Sequence, residues 1–471
     1  MQVKENKKMV SEKKFINNLE LGVSRFQDLD VKRVVSIGHN DGDGLTSSAL
    51  ICKTMEYLGI KPVQIIFDRS QKWEEFIGNI IHDYPRVEII FISDLGAEER
   101  QLCDIITKFK DKFLFLLDHH KISSREQVDS YPGNAFSFNP TRFGFDGLKE
   151  IAGSTLNFMF CKRLSSRVEK LAWLPVVGMA GDVLDNPKDY RSFNLDVLEF
   201  CLSEEQGTKK EGASLSGGMA LDTIKATMAH SILPFLKQVG ASERAALEIL
   251  ENAGIDGESN VLDLDSSDIG TLEDLLKENI YGDIISIKDR DGLLQFPFEF
   301  NFLISIIGDF DPHQALAILN LKKEKREHLE HYMDFLNSLT GNLAKISGKS
   351  SMEGAYYKFF QINNAKSNQL VSDIASFTSV NRLLDASKIL IISQAKMKNQ
   401  DVKLSLRCTP EFVKEHHAGI GTIIEELTNK FGGRGGGHDL AGGWNLPVEK
   451  FELLLKHHEG INEAIKEVIE K

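Results

Sequence analysis

Gly38-His39-Asn40-Asp41-Gly42-Asp43-Gly44-Leu45-Thr46-Ser47 follows directly on the apolar run Arg33-Val34-Val35-Ser36-Ile37. His39, Asp41 and Asp43, all able to bind a metal, alternate along this stretch. A strand that breaks into such a loop presents its ligands at the carboxyl edge of a sheet, where open α/β folds bind them. Gly42 and Gly44 let the backbone come close to a metal or a phosphate. Alone, Asp-Gly-Asp-Gly also reads as a turn, so the weight falls on what lies further along the chain.

Three more apolar runs stop at ligand-type residues. Val87-Glu88-Ile89-Ile90-Phe91-Ile92-Ser93 runs into Asp94, Phe113-Leu114-Phe115-Leu116-Leu117 into Asp118-His119-His120, and Leu174 to Gly181 into Asp182. Read as parallel strands, these runs deliver their ends to one crevice. The summed ligand set is His39, Asp41, Asp43, Asp94, His119 and Asp182, with Asp185 competing for the last place. A lone buried histidine is usually a hydrogen-bonded core residue, but a whole set at predicted strand ends reverses that expectation. Mixed imidazole and carboxylate ligation suits Mn²⁺ better than an all-oxygen Mg²⁺ or Ca²⁺ site.

Those segments resemble, in order, the motifs of the DHH phosphoesterase superfamily, with Asp118-His119-His120 as the naming triplet. At the far end, Gly435-Gly436-Gly437-His438-Asp439-Leu440-Ala441-Gly442-Gly443 resembles the glycine-histidine signature of the DHHA1 domain. The resemblance implies an α/β protein: a parallel, doubly wound DHH domain with a helical insertion, a linking helix and a smaller α/β DHHA1 domain. It implies two divalent cations, Mn²⁺ first with Mg²⁺ or Co²⁺ as substitutes, bridged by Asp94. His39 and Asp41 would complete one ion; Asp43, His119 and Asp182 the other. A hydroxide shared by the ions would attack the phosphorus in line. His120 would contact the scissile phosphate, and Asp118 would orient one of the imidazoles. In the second domain Arg407, Arg434, Gly435, Gly436, Gly437 and His438 would hold a neighbouring phosphate, the glycines as an anion-binding loop.

The activity implied is a RecJ-like exonuclease on single-stranded DNA or RNA, of the archaeal kind that serves repair and replication and includes a partner of the GINS replication complex. The alternatives are an oligoribonuclease or cyclic-dinucleotide phosphodiesterase and, in a different class, a replisome scaffold without catalysis. Lys121-Ile122-Ser123 follows the triplet where many relatives have a proline.

With 471 residues the chain is too long for one compact core. Its pattern divides into a helical segment 1–30 with Phe15, Leu19 and Leu21 as an apolar edge, a catalytic domain 31–200 and a mainly helical extension 201–320 that opens with a loop, Ser203 to Gly218. A linking helix 321–346 follows, the end of a helical pattern running from about Pro312 to Ile346, and the second domain spans 347–471. Within that domain, runs at Ala355–Ile362, Ile389–Ser393 and Val402–Arg407 read as strands and Gly421–Lys430 as a helix. No apolar run reaches signal-peptide or membrane-spanning length, and Cys52, Cys103, Cys161, Cys201 and Cys408 are scattered, which points to a cytoplasmic protein without membrane partners. The net charge of −13 disfavours tight binding to long duplex DNA, although residues 340–471 carry 17 Lys and Arg against 15 Asp and Glu. Asp289-Arg290-Asp291-Gly292 reads as a turn, and His416-His417 and His457-His458 as solvated helix positions.

Overall fold

The computed structural model describes residues 2–67, 71–123, 126–147, 149–182, 190–348, 352–362, 368–394 and 401–470; Asp185 lies outside them. The chain opens with α1 (Gln2–Asp28), which buries Phe15 and Leu19. Leu21 is exposed instead of lying on that edge, because two residues along a helix turn the side chain by about 200°.

Then come β1 (Arg33–Gly38), α2 (Gly42–Tyr57), β2 (Lys61–Ile66), α3 (Trp73–Asp83), β3 (Ile89–Ser93), α4 (Glu99–Ile106), β4 (Phe113–Leu117) and β5 (Ala135–Ser137). Their strands form one parallel sheet in the order β2-β1-β3-β4-β5. The chain leaves β1 toward β2, then crosses back to place β3 on the other side of β1. That reversal is a topological switch point, and the carboxyl ends of β1 and β3 open beside each other there. Covered on both faces, the strands read as continuous apolar runs. Ile37, Ile92 and Leu116 pack with Trp73, Phe76 and Leu102 on one side. On the other, Phe91 and Phe115 meet Phe26 of α1 and Phe160 of α5 (Gly153–Leu164).

The run Leu174–Gly181 is not a strand but most of α6 (Trp173–Asp182). An apolar run of this length carries no periodicity that separates a buried helix from a buried strand. Pro175 sits in the first turn, where no intrahelical N–H is needed. Next are α7 (Ser192–Ser203), β6 (Gly207–Ala213), α8 (Ile224–His230), α9 (Glu243–Ala253), α10 (Ser266–Leu276), β7 (Tyr281–Ile287), α11 (Pro297–Gly308), α12 (Pro312–Ile318) and α13 (Arg326–Ile346). The stretch Ser203–Gly218 therefore holds a strand rather than only a loop: β6 pairs with β7 in a two-stranded sheet. Its polar centre, Thr208 to Glu211, is exposed and shows no apolar alternation. The helical pattern from Pro312 to Ile346 is two helices, not one.

The remaining elements are β8 (Met352–Glu353), β9 (Tyr357–Ile362), α14 (Asn368–Val380), β10 (Ile389–Gln394), β11 (Val402–Arg407), α15 (Pro410–His416), α16 (Ile420–Phe431), β12 (Arg434–Gly437), β13 (Ala441–Leu446), α17 (Val448–Lys456) and α18 (Glu459–Ile469). Their strands form a mixed sheet in the order β12-β13-β11-β10-β9-β8, cored by Phe359, Leu404, Phe412, Ile423 and Trp444. The chain divides into two units, Met1–Glu211 with Gly282–Leu329 and Gly212–Tyr281 with Glu330–Lys471. The segment 201–320 is thus shared: its middle groups with the C-terminal sheet, while α11 and α12 return to the first unit.

Trp444 is fully buried, and its indole N–H donates to the Gly432 carbonyl at 3.0 Å. Trp444→Ala is expected to cost about 3–5 kcal/mol, read as a lowered unfolding midpoint in denaturant or thermal melts.

Candidate metal centre

The stretch after β1 is less a loop than a helix start. Asp41 is the N-cap of α2, accepting from the Gly44 N–H at 3.0 Å, and Asp43 lies in the first helical turn. The other carboxylate of the switch point, Asp94, follows β3 with φ +60, in the left-handed region. Its two oxygens face different partners: Oδ1 lies 3.0 Å from His119 Nε2, and Oδ2 lies 3.5 Å from His39 Nδ1. His39 Nδ1 is also 2.6 Å from Asp41 Oδ2.

His119 is oriented from behind. Its Nδ1 donates to the Gly147 carbonyl, which can only accept, so in the neutral ring Nε2 presents a lone pair to the carboxylates. Asp182, at the end of α6 rather than at a strand end, places Oδ2 3.4 Å from that Nε2, and Asp43 Oδ2 lies 3.7 Å from it. Asp43 Oδ1 accepts from the Ser154 N–H at 2.8 Å, where α5 begins. A Cβ at Gly153 would sit 2.6 Å from Asp43 Oδ2 and 3.3 Å from Asp94 Cβ, so a side chain there would fill the space between the carboxylates.

Two main ligand groups result, His39 with Asp41 and Asp94, and Asp43 with His119 and Asp182; within each, the ligand atoms lie within 4.8 Å of one another. The donor set fits divalent cations on direct grounds. Asp43 Oδ2 and Asp182 Oδ2 are buried and accept no hydrogen bond among the described residues. Burial, then the charge of Asp94, pushes the Asp43 carboxyl up to about 6. Burial and Asp43 push Asp182 well above the usual carboxylate range. Burial acts on Asp94 in the same direction, but hydrogen bonds from His119 and His39 outweigh it and hold Asp94 well below that range. Burial would lower His119, yet Asp182, Asp94 and Asp43 hold it well above its ordinary value. Without a cation, then, protons must neutralise this cluster; bound dications would displace them.

His120 stands beside the cluster, about half exposed and within ligand distance of Asp94 and His119. Asp118 grips it twice, with Oδ1 2.8 Å from Nδ1 and Oδ2 accepting the His120 N–H at 3.2 Å. Burial works against its charge, but Asp118 and Asp94 push His120 up to about 9 in the metal-free cluster. The imidazole that Asp118 orients is therefore that of His120.

In the C-terminal unit, Gly435, Gly436 and Gly437 are not a loop but part of β12, an exposed edge strand paired with β13. Arg434 pairs in register with Asn445, whereas Arg407 pairs with Ala441. Those positions lie four residues apart along β13, about 13 Å. Arg407 is anchored, donating to Ser376 Oγ at 3.0 Å, while the Arg434 and His438 side chains are exposed. The two arginines thus stand at opposite ends of the pairing and do not converge on one phosphate. Asp289, Asp291, His416, His417, His457 and His458 belong to no ligand group among the described residues.

Supporting residues escaped sequence reasoning: the Ser154 N–H and Gly147 carbonyl, Asn157, which accepts from Ser93 Oγ at 2.9 Å, and Asn139, which donates to the His120 carbonyl at 2.8 Å. They are main-chain or neutral groups from other segments, and no motif announces them.

Residues 354–466 match the family model of the DHHA1 domain. An uncharacterised protein of Methanocaldococcus jannaschii is 24% identical over 446 residues, covering 90% of this chain and 92% of the relative. Among solved structures, the fold is similar to CDC45 from Entamoeba histolytica, with a TM-score of 0.66 and 12% identity over 98% of this chain and 99% of that one. It is similar also to RecJ in complex with Mn²⁺ from Thermus thermophilus, with a TM-score of 0.53 and 13% identity over 95% of this chain and 55% of that one.

Because the Asp43 carboxyl is raised in the fold, its ionisation opposes folding, and metal-free stability falls as pH rises from the ordinary value of 3.8 through about 6. Asp43→Asn is expected to raise metal-free stability at pH 7 by on the order of 1–3 kcal/mol, with the advantage shrinking at pH 5. Thermal unfolding in EDTA at the two pH values reads both.

Proposed function

We propose that this chain, a member of the DHH/DHHA1 phosphoesterase superfamily with a RecJ-like fold, is a metal-dependent phosphodiesterase that shortens single-stranded nucleic acid from an end. The observation that carries the reading is Asp94, whose two oxygens face the two ligand groups separately. His39, Asp41 and Asp94 would hold one divalent cation, and Asp43, His119 and Asp182 the other, with Asp94 serving both. Such a pair supplies Lewis-acid activation of water and of the phosphoryl oxygen. The mixed His and Asp donors favour Mn²⁺, with Mg²⁺ or Co²⁺ as substitutes.

The chain's own part is positional and electrostatic. Gly147 fixes the ring of His119, and Ser154 fixes Asp43. His120, oriented by its hydrogen bond to Asp118, would offer a donor to a phosphate that gains negative charge as it reacts. In the C-terminal unit, Arg407 and Arg434 would take successive phosphates of a strand, since their register separates them. That arrangement supports a chain substrate over a dinucleotide.

A second reading is a replication-complex component that does not cut, favoured by the likeness to CDC45 along the whole chain. The completeness of the His and Asp set weighs against it.

The test uses Mn²⁺ and four end-labelled substrates: long single-stranded DNA, matching RNA, a dinucleotide and a cyclic dinucleotide. Stepwise shortening of the long strands, absent in Asp94→Ala, is the expected result. Cleavage of the short or cyclic substrates alone would overturn the exonuclease reading, and silence on all four would favour the non-catalytic one. His120→Ala should lower kcat roughly 10²–10³-fold with little change in KM.

A further inference from the structure

Asn301, in the middle of α11, is 4% exposed, far from the motifs in sequence and outside both ligand groups. Its Nδ2 donates to the carbonyls of Val177 and Gly178 in α6, each at 2.9 Å. Its Oδ1 accepts from Ser305 Oγ at 3.3 Å, and Ser305 Oγ in turn accepts the Gly42 N–H at 2.8 Å. One buried amide and one hydroxyl on a single helix thereby link the start of α2 to the body of α6.

The fit around that amide is closer than hydrogen bonding alone requires. A Cβ at Gly42 would lie 2.2 Å from Asn301 Nδ2, and a Cβ at Gly181 would lie 2.3 Å from Asn301 Oδ1. Bare backbone from both segments rests against the amide, so no side chain at either glycine can share that space. Gly42 stands between Asp41 and Asp43, and Gly181 immediately precedes Asp182. The amide therefore acts as a spacer at the two points from which Asp43 and Asp182 are delivered to His119.

We propose that Asn301 is a positioning residue for the cation held by Asp43, His119 and Asp182, setting the separation of the two carboxylates through Gly42 and Gly181. This rests on the reading that the cluster binds divalent cations. The other group depends on it less. His39 and Asp94 are set by the ends of β1 and β3, and Asp41 has its own cap bond to Gly44.

The experiment is Mn²⁺ titration of the full chain, with free Mn²⁺ read by electron paramagnetic resonance. It compares the parent with Asn301→Ala, Asn301→Asp, Ser305→Ala and Asp182→Asn. Asn301→Asp keeps the shape of the side chain but loses both donors to α6. The parent is expected to bind two Mn²⁺ ions, and both Asn301 variants to weaken one of them about ten- to hundredfold. That ion is the one lost in Asp182→Asn, and the other stays within about threefold. Ser305→Ala keeps the bonds to α6, removes the acceptor of the Gly42 N–H, and is expected to weaken the same ion by a smaller factor. It decides the matter where the Asn301 variants do not fold. Unchanged affinities in folded variants, or equal weakening of both ions, would overturn the assignment while leaving the cation reading intact. A parent that binds no Mn²⁺ would overturn both.

Discussion

Four carboxylates crowded into the carboxyl edge of one sheet are the constraint around which the first unit is arranged. Asp43 and Asp94 are each 2% exposed, the charges of Asp94 and Asp41 act on Asp43, and those of Asp43, Asp94 and Asp41 act on Asp182. Burial without compensation would be prohibitive. Each is tied to a rigid element: a helix N-cap, a first helical turn, a strand end in left-handed backbone, a helix C-terminus. Two imidazoles are wedged among them, and the hydrogen bond behind His119 leaves it only one way to face. Repulsion among fixed charges cannot relax by side-chain movement in so close a space. It is relieved by protons or by cations.

Much of this was legible in the sequence because buried parallel strands are written as uninterrupted apolar runs, and those at 33–37, 87–93 and 113–117 end in unmistakable ligand types. The same rule misplaced Asp182 on a strand, since an apolar run with glycines looks alike whether it coils or extends. It passed over β6 entirely, because a polar, exposed strand has no alternation to detect. Glycines at 435–437 suggested a loop, but backbone without side chains can equally serve an edge strand lying against β13. Asn301 was out of reach for a different reason: it contacts residues 123 and 124 positions away in sequence, and an asparagine within an apolar helix carries no signature of its partners.

The support of the cluster shows a division of labour by chemistry. Charged side chains meet at the centre, while the groups that hold them are neutral: a backbone N–H at Ser154, a carbonyl at Gly147, amides at Asn139 and Asn157. Neutral donors and acceptors orient a ligand without adding to the net charge a cation must balance. Asp118 is the exception, and its carboxylate faces His120, the imidazole outside the two main ligand groups.

The chain crosses between its two units at Glu211–Gly212, at Tyr281–Gly282 and again at Leu329–Glu330. Neither unit is a continuous stretch of polypeptide. A gene fragment that stops after α7 would contain every motif of the candidate metal centre and still lack α11, whose Asn301 and Ser305 bond to α6 and to Gly42. Shuffling, truncation or recombination at the apparent domain boundary would therefore sever the centre from its own support. The second unit is likewise assembled from two separate stretches, so neither unit corresponds to a single span of the gene.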